Sequence, residues 1–177
     1  MNFAAQAKEG PRIDADGLQI RVLNPNDIDE IAALFARLSS RSRYLRFMSP
    51  VRTVSAGMLS YLAAVDHHRH EAVGAFEDDL LMGAMHYFQS ATDPTRAEIA
   101  GEVSDPYQQH GVGSRLLREL GGIARRSGIT HFDSRMLVEN TAAISMVRHL
   151  GWRTAAAFDG PELAIAMTIP QGPMPCV

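Results

Sequence analysis

Two periodicities alternate along this chain. Leu18-Gln19-Ile20-Arg21-Val22 repeats every second residue and predicts a strand. Asn24-Pro25-Asn26-Asp27 then turns the chain, with Asn26 or Asp27 suited to cap a helix whose apolar face is Ile28, Ile31, Ala32, Leu34, Phe35 and Leu38. Thr53 or Ser55 starts another helix carrying Met58, Leu59, Leu62 and Ala63. Residues 72–76 and 80–89 flank Glu77-Asp78-Asp79 as a hairpin. Asp93-Pro94-Thr95 leads into a strand over residues 97–103, with Ile99 and Val103 on one face and Glu98, Ala100 and Glu102 on the other.

From Gly113 the period changes to that of a helix. Leu116, Leu117, Leu120, Ile123 and Ala124 share one face, Arg115, Arg118, Glu119, Arg125 and Arg126 take the other, and Ser127-Gly128 stops it. Residues 131–138 form the next strand, with Phe132 and Met136 alternating against His131, Asp133 and Arg135. Glu139-Asn140 caps a helix that runs to His149 and ends at Gly151. Strands over 154–158 and 163–169 close on Asp159-Gly160-Pro161. The order β-α-α-β-β-β-α-β-α-β-β predicts a mixed α/β layout whose late β-α-β unit is parallel. One domain over 13–170 is expected, between flexible arms at 1–12 and 171–177.

A chain of 177 residues with 46% apolar content suits one domain with its own core. The net charge of −3 argues against a general nucleic-acid or anionic-membrane binder. Arginines nevertheless cluster, in residues 41–46 and 115–126, and such local groups suit a small phosphate-bearing ligand or a solvated helix face. The single cysteine, Cys176, excludes a disulfide within the chain and is a poor nucleophile candidate beside the C-terminus. With no signal peptide expected and no window of about 20 apolar residues, the expected location is the cytoplasm. His67, His68 and His70 match no common zinc spacing, so no metal is expected.

Between the Glu98 strand and its helix lies Gln108-Gln109-His110-Gly111-Val112-Gly113-Ser114. Glycines there let a ligand approach the backbone, and the first helical N–H groups attract an anion. An ordinary strand-to-helix turn explains a lone pair of glycines equally well. A dinucleotide fingerprint would need glycine at Leu116, and no Lys-Ser or Lys-Thr pair follows as in a P-loop.

Gln108-x-x-Gly111-x-Gly113 resembles the (Gln/Arg)-x-x-Gly-x-(Gly/Ala) signature of the GNAT superfamily of N-acetyltransferases. Asn140, Ala143 and Gly151-Trp152 resemble its second hallmark, and the likeness spans residues 18–169. Ser42-Arg43-Tyr44-Leu45-Arg46-Phe47 with Asp66-His67 is similar to the acetyltransferase domain of bacterial protein-lysine acetyltransferases. The resemblance implies a GNAT fold, a mixed sheet of about seven strands flanked by about four helices. It implies transfer of acetyl from acetyl-CoA by direct attack of a primary amine, a protein lysine foremost. A small-molecule amine or amino acid is the alternative acceptor, and a non-catalytic acyl-CoA sensor the alternative function. Acetyl-CoA is then the co-substrate, nucleic acid and membrane are not partners, and the oligomeric state is open, a dimer included.

By the same resemblance Glu98 is the general base, with Glu102 as runner-up on the same strand face. Val103 and Ser104 would pair with the pantetheine arm. Gln109, His110, Gly111, Val112, Gly113 and Ser114 would hold the pyrophosphate, and Asn140 would touch the CoA arm. Many members place a tyrosine acid seven residues after the asparagine, where this chain has Val147. Tyr107 and Tyr44 are the other tyrosines considered as donors, and neither is assigned.

Overall fold

The alternating stretch around Glu98 becomes the middle of a seven-stranded sheet. In the computed structural model, which describes residues 17–172, it is β4 (Arg96–Val103). Before it come β1 (Gln19–Val22), α1 (Ile28–Arg37), α2 (Ser40–Phe47), α3 (Ala56–Ala63), β2 (His70–Glu77) and β3 (Leu80–Gln89). After it come α4 (Val112–Arg126), β5 (His131–Leu137), α5 (Thr141–His149), β6 (Arg153–Asp159) and β7 (Glu162–Thr168). The strands lie in the order β1-β2-β3-β4-β5-β7-β6. β4 and β5 run parallel, as a connection through a helix allows, and the other neighbours are antiparallel. The expected α/β architecture is observed. The arm expected over 1–12 and residues 173–177 of the expected tail, Cys176 among them, lie outside the described residues.

The period of two sorts side chains onto two cores. On β3 and β4, Gly83 faces Val103, Met85 faces Gly101 and Tyr87 faces Ile99 across the ladder. Met85, Tyr87, Ala97 and Ile99 pack with Val112, Leu116, Leu117, Leu120 and Ala124 of α4. The alternate residues Ala84 and Phe88 pack on the other side with Ile31, Leu34 and Phe35 of α1 and Leu62 of α3. Glu98, Ala100 and Glu102 therefore share the face that α1, α2 and α3 cover.

One helix was not visible in the pattern. Residues 39–50 read only as a segment dense in arginine and aromatics, yet Ser40–Phe47 is helical, which makes five helices rather than about four. Ser39 caps it by accepting the Ser42 N–H at 3.1 Å. None of its eight residues is fully buried, so it carries no apolar stripe for periodicity to detect.

Gly101 marks where the sheet tolerates no side chain. A Cβ there would lie 2.8 Å from the Ala84 carbonyl oxygen and 2.5 Å from Met85 Sδ. Because one obstacle is backbone, the Gly101→Ala variant should lose about 1–3 kcal/mol of stability, read as a lowered midpoint in urea unfolding. An unchanged midpoint would contradict this packing.

Candidate active site

β4 and β5 pair over only Arg96–His131, Ala97–Phe132 and Glu98–Asp133. Arg96 clamps this closed end, donating from Nε to Asp133 Oδ2 at 2.9 Å and from Nη2 to Oδ1. Beyond it the strands part, while β4 stays paired with β3 to Val103 and β5 with β7 to Leu137. The opening is a cleft of about 740 Å³ walled by residues 98–103 of β4, residues 134–136 of β5, the start of α5, the glycine loop and one face of α2.

The glycine loop forms the anion-binding end. Gln109 and Gly111 both have positive φ, 62° and 83°, which bends the chain sharply into α4. Gln108 pins the bend by donating from Nε2 to the Val103 carbonyl at 2.9 Å and to Ser42 Oγ at 3.0 Å. The Arg115 N–H donates to the Gly111 carbonyl at 3.0 Å, so the amides of Val112, Gly113 and Ser114 have no partner within the helix. Gly111 supplies no side-chain cap and the first turn holds no acidic residue. The positive end of the helix dipole is left for a ligand.

Of the residues proposed from sequence, Glu98, Val103, Gln109, Gly111, Gly113, Ser114 and Asn140 line the cleft together. Ser104, His110 and Val112 are not among the lining residues. Ser104 is buried with its N–H given to the Met82 carbonyl at 2.8 Å. His110 turns its ring back on the Gln108 carbonyl at 2.6 Å, and the Val112 side chain is core. Asn140 caps α5, accepting the Ala143 N–H at 3.2 Å. Val147 is buried at the cleft wall. Tyr107 donates its hydroxyl to Glu77, a hydrogen bond that pushes its pKa up to about 12.

The two carboxylates of the cleft sit in opposite surroundings. Glu98 is exposed, and its carboxylate makes no hydrogen bond or ion pair among the described residues. It also borders a second hollow of about 690 Å³ lined by Ser134, Arg135 and the alanines of β6 and β7. Glu102 is buried, its side chain 2% exposed, with Oε2 accepting from Arg46 Nε at 2.7 Å. Burial pushes the Glu102 carboxyl above its ordinary range, against the pull of Arg46.

Sequence reasoning missed Arg46 as the partner of Glu102. In the sequence, the arginines of residues 41–46 suit a phosphate-bearing ligand or a solvated helix face equally well. Arg41 pairs with Glu139 at 2.9 Å, and Arg43 donates to the carbonyls of Leu38 and Val51. Asp105 was missed too. It accepts from Ser39 N–H at 2.9 Å, Ser39 Oγ at 2.6 Å and Ser42 Oγ at 2.8 Å, tying α2 to the loop after β4. No sequence signal joins partners 66 positions apart.

The chain matches the acetyltransferase (GNAT) family over residues 34–152. It is 30% identical to the acetyltransferase Pat of Mycolicibacterium smegmatis over 151 residues, covering 84% of this chain and 44% of that protein. The chain thus spans less than half the length of that relative. Its fold is similar to the GNAT domain of S. lividans PAT, with a TM-score of 0.80 at 22% identity over 85% of this chain and 90% of that one. It is also similar to yncA of Salmonella typhimurium, described as a putative acetyltransferase with its cofactor acetyl-CoA, with a TM-score of 0.66 at 18% identity over 90% and 98% of the two chains.

Asp105 offers a test of how α2 is held. Burial alone would raise its carboxyl, but the hydrogen bonds from Ser39 and Ser42 prevail and hold it below the ordinary value. A depressed carboxylate contributes stability that is present above about pH 4 and lost as pH falls through its folded value. Hydrogen exchange, corrected for intrinsic rates, should show α2 losing protection below about pH 4. In Asp105→Asn, α2 should be less protected at neutral pH and should show little further acid loss.

Proposed function

The chain belongs to the GNAT family of acetyltransferases, and on that premise we propose that it acetylates a protein lysine, with Glu98 as general base. The observation carrying this reading is that an uncapped helix N-terminus and a free carboxylate stand at the same gap between β4 and β5. The gap suits acetyl-CoA, which supplies the thioester carbonyl when bound. The amides of residues 112–114 would hold its pyrophosphate. Val103, Gln109, Gly111, Gly113, Ser114 and Asn140 would line its path along the parted strands.

A lysine ammonium, with an ordinary pKa near 10.4, must lose a proton before it can attack. Glu98 stands where the cleft and the second hollow meet, so an amine entering from the hollow reaches it directly. The hollow is floored by Ala155, Ala156, Ala157, Ala164 and Ala166, which suits the aliphatic stem of lysine. Its cation, Arg135, is engaged by Asp159 and Glu162, both at 3.4 Å. This disfavours the carboxylate of a free amino acid. The likeness of residues 42–47 to protein-lysine acetyltransferases supports the same acceptor.

Glu98→Gln should lower kcat about 10²- to 10³-fold while acetyl-CoA affinity, read by calorimetry, stays unchanged. Turnover is measured as free thiol released, with an acyl-CoA synthetase, lysine peptides and small amines as acceptors. Unchanged kcat in this variant moves the base elsewhere. Turnover by the parent chain on a small amine alone replaces the protein acceptor.

A further inference from the structure

β6 ends the sheet, and its outer edge is unpaired among the described residues. It is seven residues long, against four for β1 at the opposite edge, and all seven are exposed. Natural sheets guard such an edge with proline, lysine, a bulge or a covering element. Arg153-Thr154-Ala155-Ala156-Ala157-Phe158-Asp159 has neither residue, and its register with β7 runs unbroken from Arg153–Thr168 to Asp159–Glu162. Phe158 is 79% exposed, the most open large apolar side chain of the described residues.

The turn fixes which backbone groups face outward. Gly160-Pro161 is a two-residue connection, with Gly160 at a φ of 58° in its first position, as a type II′ turn requires. Asp159 and Glu162 are then a hydrogen-bonded pair, and bonded and non-bonded pairs alternate from there. Asp159, Ala157, Ala155 and Arg153 therefore turn their N–H and C=O groups toward β7. Thr154, Ala156 and Phe158 turn theirs away from the sheet.

The order of charges supplies the partner. Laid antiparallel against itself about Ala156, the strand sets Arg153 opposite Asp159 of a second copy and Asp159 opposite its Arg153. Ala155 meets Ala157, Thr154 meets Phe158, and Ala156 meets itself. The outward-facing Thr154, Ala156 and Phe158 then fall on hydrogen-bonded pairs, and the charged couples fall on the closer non-bonded pairs. Registers centred on Ala155 or Ala157 also satisfy the backbone but leave both charges unmatched. Arg153 makes no ion pair among the described residues, and Asp159, its side chain 75% exposed, meets Arg135 Nη1 only at 3.4 Å.

We propose that two copies of this chain associate through β6, joining their sheets across a two-fold axis that passes through the Ala156 pair. The axis stands normal to the sheet, so both copies present the same face. Ala155 and Ala157 share that face with Glu98 through the row Glu98–Asp133–Ala166–Ala155. The hollow beside Glu98 therefore adjoins its copy, and both open on one side of the joined sheet. β6 lines no part of the cleft between β4 and β5, so association and acetyl transfer are separable.

Sedimentation equilibrium of the full chain should show a monomer–dimer equilibrium with a Kd on the order of 1–100 µM, the weak end expected of a single short strand pair. Amide exchange at Thr154, Ala156 and Phe158 should slow as protein concentration rises. Ala156→Pro removes an outward N–H that β7 does not use, and should raise Kd at least about tenfold. Arg153→Glu and Asp159→Arg each break both couples and should each raise Kd about tenfold, whereas the double variant should return toward the parent value. If Ala156→Pro does not fold, the parent and the charge variants still decide. A chain that stays monomeric at about 500 µM overturns the proposal. So does a dimer that Ala156→Pro leaves intact, or one that the double charge variant fails to restore. Protection of the three amides only on adding a lysine peptide makes this edge a peptide-binding strand and overturns self-association.

Discussion

β4 and β5 stay paired for three residues and then part, and the functional geometry of this fold depends on that short register. A parallel pair in the middle of a sheet normally satisfies its own backbone. Here each strand keeps its outer partner, β3 or β7, for several residues after leaving the other. The sheet therefore stays continuous while a cleft opens through its centre. The Arg96–Asp133 clamp marks where the opening begins, and Glu98 is the last residue of β4 paired with β5.

What fills the mouth of this cleft is arranged by polar groups. Gln108 holds the glycine bend to β4 and to α2, and Asp105 holds the start of α2. α2 in turn delivers Arg46 to Glu102. A short helix without a buried face would be marginal alone, so these hydrogen bonds position it. The same α2 also covers the buried Glu102, whose other oxygen faces His86. Loop, helix and buried carboxyl are consequently one connected unit.

The contrast between Glu98 and Glu102 shows how far environment outweighs residue type. Both are glutamates on one face of one strand, and alternation alone makes them equivalent. One lies at the lip of the gap, open to water. The other lies under α2 with an arginine at one oxygen and a histidine facing the other. A carboxyl at the lip can exchange protons with solvent, whereas one under α2 answers first to its two fixed neighbours.

The sequence by itself determined the strands, four of the five helices, the parallel β-α-β unit and the glycine loop, because period, caps and turn residues are local properties. Asn140 as a cap and the hairpin at residues 77–80 were legible for the same reason. Only the tertiary structure decided where β4 and β5 separate, since that depends on which neighbours each strand keeps. It also decided that residues 40–47 form a helix, that Ser104 spends its amide on Met82, and that Glu102 meets Arg46 and His86. Those pairings join positions 16 to 56 residues apart through hydrogen bonds and charge, which leave no periodic trace along the chain.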